Sequence, residues 1–297
     1  MSHLKLVVPP KRKRGTKSPA AAKPKRVVIG LPRPAVRTLA VISGKGGVGK
    51  SNVVANLAVA MGEMGASVLV LDADLGQANQ DVLLGVHPRV DLLSVLRGEC
   101  ALEDIVIEGP AGVKLVPAGS GDPLLADVDD VRRERLFREI GALAAESDIV
   151  LIDNASGASR QAAGFALAAR EVVVVTTPEP TAYADSYGLI KVLARQGLAT
   201  QPGVLVNLST SVEDAEEVAH RLASVCRRFL RVQVHMLGHV PIDPALTQAV
   251  RRQEPVVVSY PNSPSARALT TLAERLLSHS PDGTPVLGDP AWEGECA

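Results

Sequence analysis

An α/β fold with a doubly wound, mostly parallel sheet flanked by helices follows from three features of the 297-residue sequence. From Arg37 onward, short apolar runs alternate with segments of helical period, the pattern of a parallel sheet covered on both faces. A glycine-rich loop, Ser43–Ser51, lies between the first apolar run and the first helical segment. Two later apolar runs end in acids, Asp72 with Asp74 and Asp153, although a strand buried on both faces has no use for charge.

The elements follow in order. Strands are expected at Leu39–Ser43, Ser67–Asp72, Val113–Pro117, Ile149–Asp153, Val172–Thr176, Val204–Asn207 and Gln233–Val240. Helices are expected between them at 49–64, 128–146, 159–169, 182–196, 212–229, 244–252 and 263–278. The first of these carries Val53, Leu57 and Met61 at helical spacing. Right-handed crossovers place the loops after the strands along one edge of such a sheet. The length suits one large α/β domain with tails, and the 46% hydrophobic content is ample for its core. Aromatic residues make up only 2%, so Val, Leu, Ala and Ile must fill that core.

Charge divides the chain into three parts. Residues 1–37 hold eleven Lys and Arg and no acid, whereas the whole chain is neutral. The expected organisation is a disordered basic arm over 1–36, a phosphate-loop domain over 37–279 and a disordered acidic tail over 280–297. The tail carries Asp282, Asp289, Glu293 and Glu295 without a Lys or Arg. The arm can contact an anionic surface, DNA or lipid, or serve as a solvated tail; charge alone names no partner. Cys100, Cys226 and Cys296 are too few and too scattered for a disulfide framework or a zinc site, and fit a reducing cytoplasm. No apolar stretch approaches the length of a membrane span, and no apolar signal core follows the charged N-terminus, so no export is expected. His235 and His239 fall in a strand-like run and share no helix face, which makes them structural.

The chemistry concentrates on the loop. Gly44, Gly49, Lys50 and Ser51 satisfy the pattern of Gly, four residues, Gly-Lys-Ser. Gly44, Gly46, Gly47 and Gly49 let backbone N–H groups, those of Lys45, Val48 and Asn52 included, close around a phosphate, and the following helix N-terminus adds partial positive charge. Lys50 would reach the terminal phosphates and Ser51 would hold Mg²⁺. Asp74 could position the attacking water or a Mg²⁺-bound water, with Asp72 behind it. Asp153 ends Ile149-Val150-Leu151-Ile152 and would hold Mg²⁺ through water, opposite Ser51. Lys45 is an additional cation near a γ-phosphate.

With that lysine, the loop resembles the deviant Walker A loop of the MinD/ParA family of ATPases, in which such a lysine crosses to the nucleotide of the partner subunit. The segment Asp72-Ala73-Asp74-Leu75-Gly76-Gln77-Ala78-Asn79-Gln80-Asp81 is similar to the Walker A′ segment of the MinD group, and Ile149–Asp153 has the Walker B form. The turn Asn154-Ala155-Ser156-Gly157 stands where the family places a γ-phosphate sensor. Thr177-Pro178-Glu179-Pro180-Thr181, Asn207, Pro241-Ile242-Asp243 and Tyr260-Pro261-Asn262-Ser263 narrow the resemblance to the flagellar-number-regulator branch, the FlhG or YlxH group. It covers about residues 38–278. Cys-x-x-Cys and a tyrosine cluster are missing, which points away from the iron–sulfur carriers and tyrosine kinases of the superfamily.

The resemblance implies a Mg²⁺-dependent ATPase using ATP/ADP, slow without a partner and homodimeric when ATP-bound, which sets the placement or number of a cellular structure such as the flagellum. Lys45, Lys50 and Asp74 would be catalytic; Ser51, Asp74 and Asp153 would serve the metal. Asn207 would bond the adenine edge, and the backbone of Pro241 and Asp243 would line its pocket. A flagellar or polar assembly protein is the implied partner. A partition ATPase riding on DNA and a nucleotide-gated scaffold with negligible turnover are the alternatives. The Asp-Gln-Ala-type activating segment common in this branch is absent from the arm. The last helix precedes an acidic tail, unlike a cationic membrane-surface helix, so it is expected to pack on the sheet.

Overall fold

The computed structural model describes residues 36–74, 77–119, 138–158 and 160–278. The expected arm, the tail after 278, Leu75 and Gly76, and the first ten residues of the helix expected at 128–146 lie outside them.

The strands are β1 (Arg37–Ile42), β2 (Val68–Ala73), β3 (Ile107–Glu108), β4 (Lys114–Val116), β5 (Ile149–Asn154), β6 (Glu171–Thr176), β7 (Gly203–Ser209) and β8 (His235–Pro241). They form one sheet in the order β3-β4-β2-β5-β1-β6-β7-β8. Every pairing is parallel except β3 against β4. The helices are α1 (Lys50–Glu63), α2 (Gln80–Leu84), α3 (Leu92–Leu96), α4 (138–144), α5 (Arg160–Ala168), α6 (Pro180–Gln196), α7 (Val212–Leu230), α8 (Pro244–Arg252), α9 (Val256–Ser259) and α10 (Pro264–Ser278).

Alternate residues of each central strand go to opposite cores, as the two-residue period requires. Leu39, Val41, Val70, Leu151, Val173 and Leu205 pack with α1, α8, α9 and α10 on one face. Ala40, Ile42, Leu71, Ile152, Val174 and Val206 pack with α4 to α7 on the other. The last helix buries Ala266, Leu269, Leu272, Ala273 and Leu276 and packs against α1 and β8, as its amphipathic pattern predicted. No described helix is long and apolar enough to cross a membrane.

Central β1 lies between β5 and β6. The connection from β1 leads through α1 to β2 on one side, while β6, β7 and β8 extend the other. The glycine-rich loop therefore opens where the strand order reverses, outside the carboxyl ends of the strands, the place such sheets offer a ligand. At the opposite edge, Arg37 donates to both carboxylate oxygens of Glu171 and to the carbonyl of Leu276. This joins the starts of β1 and β6 to the last turn of α10.

Candidate nucleotide site

Local backbone demands explain the loop. Gly47 and Gly49 take φ of 81° and 84°, the left-handed region that glycine enters without a Cβ penalty. Gly49 is also the N-cap of α1; no side chain caps that helix, and no acid stands in its first turn. Its N-terminal N–H groups are thus unclaimed by capping side chains, which suits an anion. Packing enforces glycine as well: a Cβ on Gly44 would overlap the backbone of Asp185 and Ser186 in α6, and one on Gly49 would overlap the Asn207 carboxamide.

Inside the loop, the side chains converge. Lys50 is buried, with Nζ bonded to Asp153 Oδ1, 3.3 Å from Ser51 Oγ and 3.9 Å from Asp74 Oδ2. Adjacent strands align the acids, because Asp72 and Asp153 are paired in register on β2 and β5. Asp72 is buried. It accepts backbone N–H groups from Asp74, Asn79 and Gln80, shaping the turn into α2. Burial, then the charge of Asp153, pushes its pKa up to about 7 against those hydrogen bonds.

Gln80 was not singled out by the sequence. It is fully buried, and its Nε2 donates to Ser51 O (3.0 Å) and Asp153 Oδ2 (2.7 Å). Its Oε1 has no partner. Its place in the segment that follows the acid-ended strand β2 was the available signal. Buried Asn154 Oδ1, Thr176 Oγ1, Thr177 Oγ1, Ser186 Oγ and Asn207 Oδ1 are likewise without hydrogen-bond partners. Buried polar atoms are normally satisfied, so this concentration along one sheet edge fits a polar ligand and its waters.

The remaining predicted residues fall around this centre. Asn207 is buried and donates Nδ2 to Val48 O (2.8 Å), bracing the loop from β7. Asn52 follows Ser51 in the first turn of α1, and its carbonyl accepts from Asn56. The turn after β5 closes on the loop through a bond from Gly157 N to Ser43 O (2.8 Å). Pro241 ends β8, and Asp243 caps α8. The Asp243 carboxylate accepts from Ala245 N, Ser265 N and Ser265 Oγ, tying α8 to α10. Exposed Leu208, Val212 and Ile242 border the same corner and offer apolar surface.

Lys45 is set apart from Lys50. Its Nζ donates to Glu179 Oε2 (2.7 Å) and Thr181 Oγ1 (3.3 Å) at the start of α6, and its side chain is 40% exposed. The Lys45 interaction lowers the Glu179 pKa below its ordinary value. The sequence marked Lys45 but not its carboxylate partner.

The site fits Mg²⁺ and a nucleotide through its donor types. Ser51, Asp153 and Asp74 offer hard oxygens. Among the described residues no group of three or more His, Cys, Asp or Glu side chains forms a metal cage. Mg²⁺ commonly takes one or two carboxylates and completes its shell with phosphate and water.

Comparison with known proteins decides the family. The chain is 37% identical over 241 residues to the antiactivator FleN of Pseudomonas aeruginosa, covering 81% of this chain and 86% of FleN. It is 31% identical to the flagellum site-determining protein YlxH of Helicobacter pylori, covering 81% of each. It superposes on the cell division ATPase MinD of Pyrococcus furiosus with a TM-score of 0.70 at 31% identity, covering 82% of this chain and 98% of that one. The chain belongs to the MinD/ParA family of P-loop ATPases.

MinD of Pyrococcus horikoshii in complex with Mg-ADP matches at 31% identity and a TM-score of 0.68, over 81% of this chain and 96% of that one. Mg²⁺ and adenine nucleotide are thus used within the family. Residues 37–286 also match the family described as 4Fe-4S iron sulfur cluster binding proteins, NifH/frxC family. The described cysteines of this MinD/ParA-family ATPase do not suit such a cluster, whose irons need converging thiolates. Cys100 precedes β3 by seven residues, whereas Cys226 is buried on α7 beside β7 and β8, at the other end of the strand order.

Proposed function

We propose that this ATPase is an ATP-driven dimerisation switch that controls the placement or number of a cellular structure, of the flagellar regulator type. The observation that carries the reading is the division of labour between two lysines. Lys50 lies within its own loop, against Asp153 and Asp74, whereas Lys45 lies outside it on the surface, held by Glu179 and Thr181. A lysine held outside its own phosphate cradle has a use when a second copy brings its nucleotide to that edge.

In this reading ATP lies along the loop with its phosphates at the amides of Gly46–Asn52, its base beside Asn207 and the backbone of Pro241–Asp243. The Asn207 Oδ1 left without a partner is an acceptor for an exocyclic amine. Mg²⁺, held by Ser51 and by Asp153 and Asp74 through water, would neutralise phosphate charge. Lys50 exchanges its contacts with the acids for the terminal phosphates, Asp74 orients the attacking water, and the loop amides stabilise the transferring phosphoryl group. Lys45 of a second copy stabilises charge on the γ-phosphate, as an arginine finger does. The ATPase domain spans 37–279, flanked by the basic arm and the acidic tail. The output is the lifetime of the dimer, read by an assembly protein.

The test is sedimentation with ATP. Asp74→Ala should bind ATP, hydrolyse it poorly and stay dimeric, while Lys45→Ala should lose the dimer and keep some nucleotide affinity. Monomeric Asp74→Ala with bound ATP sinks the mechanism. Turnover with added DNA or lipid vesicles tests the eleven-cation arm: stimulation by DNA would favour a partition ATPase. Near-zero turnover under all conditions would favour a scaffold.

A further inference from the structure

The edge of the sheet opposite the nucleotide site carries its own chemistry. From Val218 to His235 the chain has Arg221, Arg227, Arg228 and Arg231 and no acidic residue. The acids of α7 are gathered instead in its first turns, at Glu213, Asp214, Glu216 and Glu217. Arg227 and Arg228 fall in the last turn, and Arg231 caps the helix with φ 56°. Arginine there complements the helix dipole, which accounts for the charge. It does not account for Phe229, which is 63% exposed, the most open large apolar side chain among the described residues, with the Arg228 guanidinium over its ring at 5.2 Å. An open aromatic ring under one arginine, in a stretch with three more, is a poor solvent face and a good anchor for an acidic segment with an aromatic of its own.

We infer that this end of α7 is a docking site for the chain's own acidic tail, residues 279–297, with Trp292 against Phe229 and the neighbouring carboxylates against Arg227, Arg228 and Arg231. Charge complementarity is direct: the tail bears Asp282, Asp289, Glu293 and Glu295, no Lys or Arg, and the one tryptophan of the chain. Position agrees with charge. Arg37 binds the carbonyl of Leu276, so α10 delivers the tail at the start of β1, on the edge where α7 also ends, four residues before β8 begins. The path passes three strand steps, from β1 through β6 and β7 to β8, about 14 Å, and also rounds the end of the sheet, because α10 and α7 lie on opposite faces. The fourteen residues from Ser278 to Trp292 can reach at most about 46–50 Å, enough for that path. The tail is therefore long enough to reach the site within its own chain, so that binding is an intramolecular event. The basic arm starts at the same edge, but residues 1–35 contain no aromatic residue to meet Trp292. The inference stands apart from the nucleotide site and does not depend on the proposed switch.

The sole tryptophan is its own probe. In the full chain at low salt, Trp292 emission should be blue-shifted and shielded from iodide and acrylamide, relative to the same chain in denaturant. The shielding should be unchanged on dilution and lost at high salt. Phe229→Ser and the pair Arg227→Glu with Arg228→Glu should each release it. Both changes are at exposed positions, so Phe229→Ser should hardly move the unfolding transition, and the charge-reversed pair should lower it only modestly, through lost complementation of the helix dipole. Adding Asp289→Lys and Glu293→Lys to the charge-reversed pair should restore shielding. Trp292 as quenchable at low salt as in denaturant overturns the inference. So does shielding that survives both α7 variants, which would place the tail on the arm, or shielding that fades on dilution, which would place it on a second copy.

Discussion

Gly49 and Asn207 offer a test of the loop that does not depend on nucleotide. In Gly49→Ala the new methyl would have to sit at φ 84° and overlap the Asn207 carboxamide. The left-handed backbone costs a non-glycine residue about 1–2 kcal/mol. Moving the carboxamide breaks its bond to Val48 O and leaves a buried acceptor unpaired, which costs about 1–3 kcal/mol more. The single variant should therefore lose about 2–5 kcal/mol. Asn207→Ala should lose about 1–3 kcal/mol by the second route alone. In the double variant the carboxamide is already gone, so the methyl meets no obstacle and the bond is lost once. The double variant should then lose about 2–5 kcal/mol, short of the sum of the singles by about 1–3 kcal/mol. Urea unfolding of the four proteins without nucleotide measures this. Additivity within about 0.5 kcal/mol would mean that loop and carboxamide do not touch, and the bracing argument fails.

The other expectations rest on separate contacts. Lys50→Ala removes the partner of fully buried Asp153, so the nucleotide-free protein should lose about 3–5 kcal/mol as well as nucleotide affinity; normal affinity by calorimetry would refute the assignment. Glu179→Ala should leave the thermal midpoint nearly unchanged, because the pair it breaks is exposed, but should increase ATP-dependent self-association by freeing Lys45; an unchanged or weaker dimer counts against the cis pair as a restraint. Burial works to raise the Asp243 pKa, but hydrogen bonds from Ser265, Ala245 and Ser263 outweigh it and hold the carboxyl below its ordinary 3.8. Its stabilising contribution is therefore present above pH 3.8 and is lost as pH falls through the depressed value. Asp243→Asn should make the acid side of the stability profile shallower, and an unchanged slope would remove Asp243 from that account.

Central strands were legible because burial on both faces leaves near-continuous apolar runs. Ile149–Asp153 and Val172–Thr176 each fall within one residue of β5 and β6. The two-residue β3 and the short helices α2, α3 and α9 were not legible, because four or five residues carry too little period to register. Their positions come from tertiary partners: β3 pairs with β4, and Asn56 Oδ1 in α1 accepts from Val257 N in α9. At the site, the glycine pattern and the strand-end acids announced themselves through local spacing. Gln80 and Glu179 did not, since Gln80 acts through residues 29 and 73 positions away and Glu179 through one 134 positions away. The role of Asn207 toward the loop was hidden for the same reason.

The two ends of the sheet bear on how copies of this chain can meet. A parallel sheet with a long open edge would invite a second sheet to continue it, a route to aggregation. Here one end is a two-residue antiparallel strand, too short to template a neighbour. The other end, β8, runs out of step with β7 between Val204 and Leu205 and again between Asn207 and Ser209, and Gly238 bends it at φ 138°. Irregular spacing of its N–H and C=O groups denies an incoming strand a regular ladder. Edge-to-edge growth is thus blocked at both ends, and self-recognition is left to surfaces made of loops and helices, where a bound ligand can govern it.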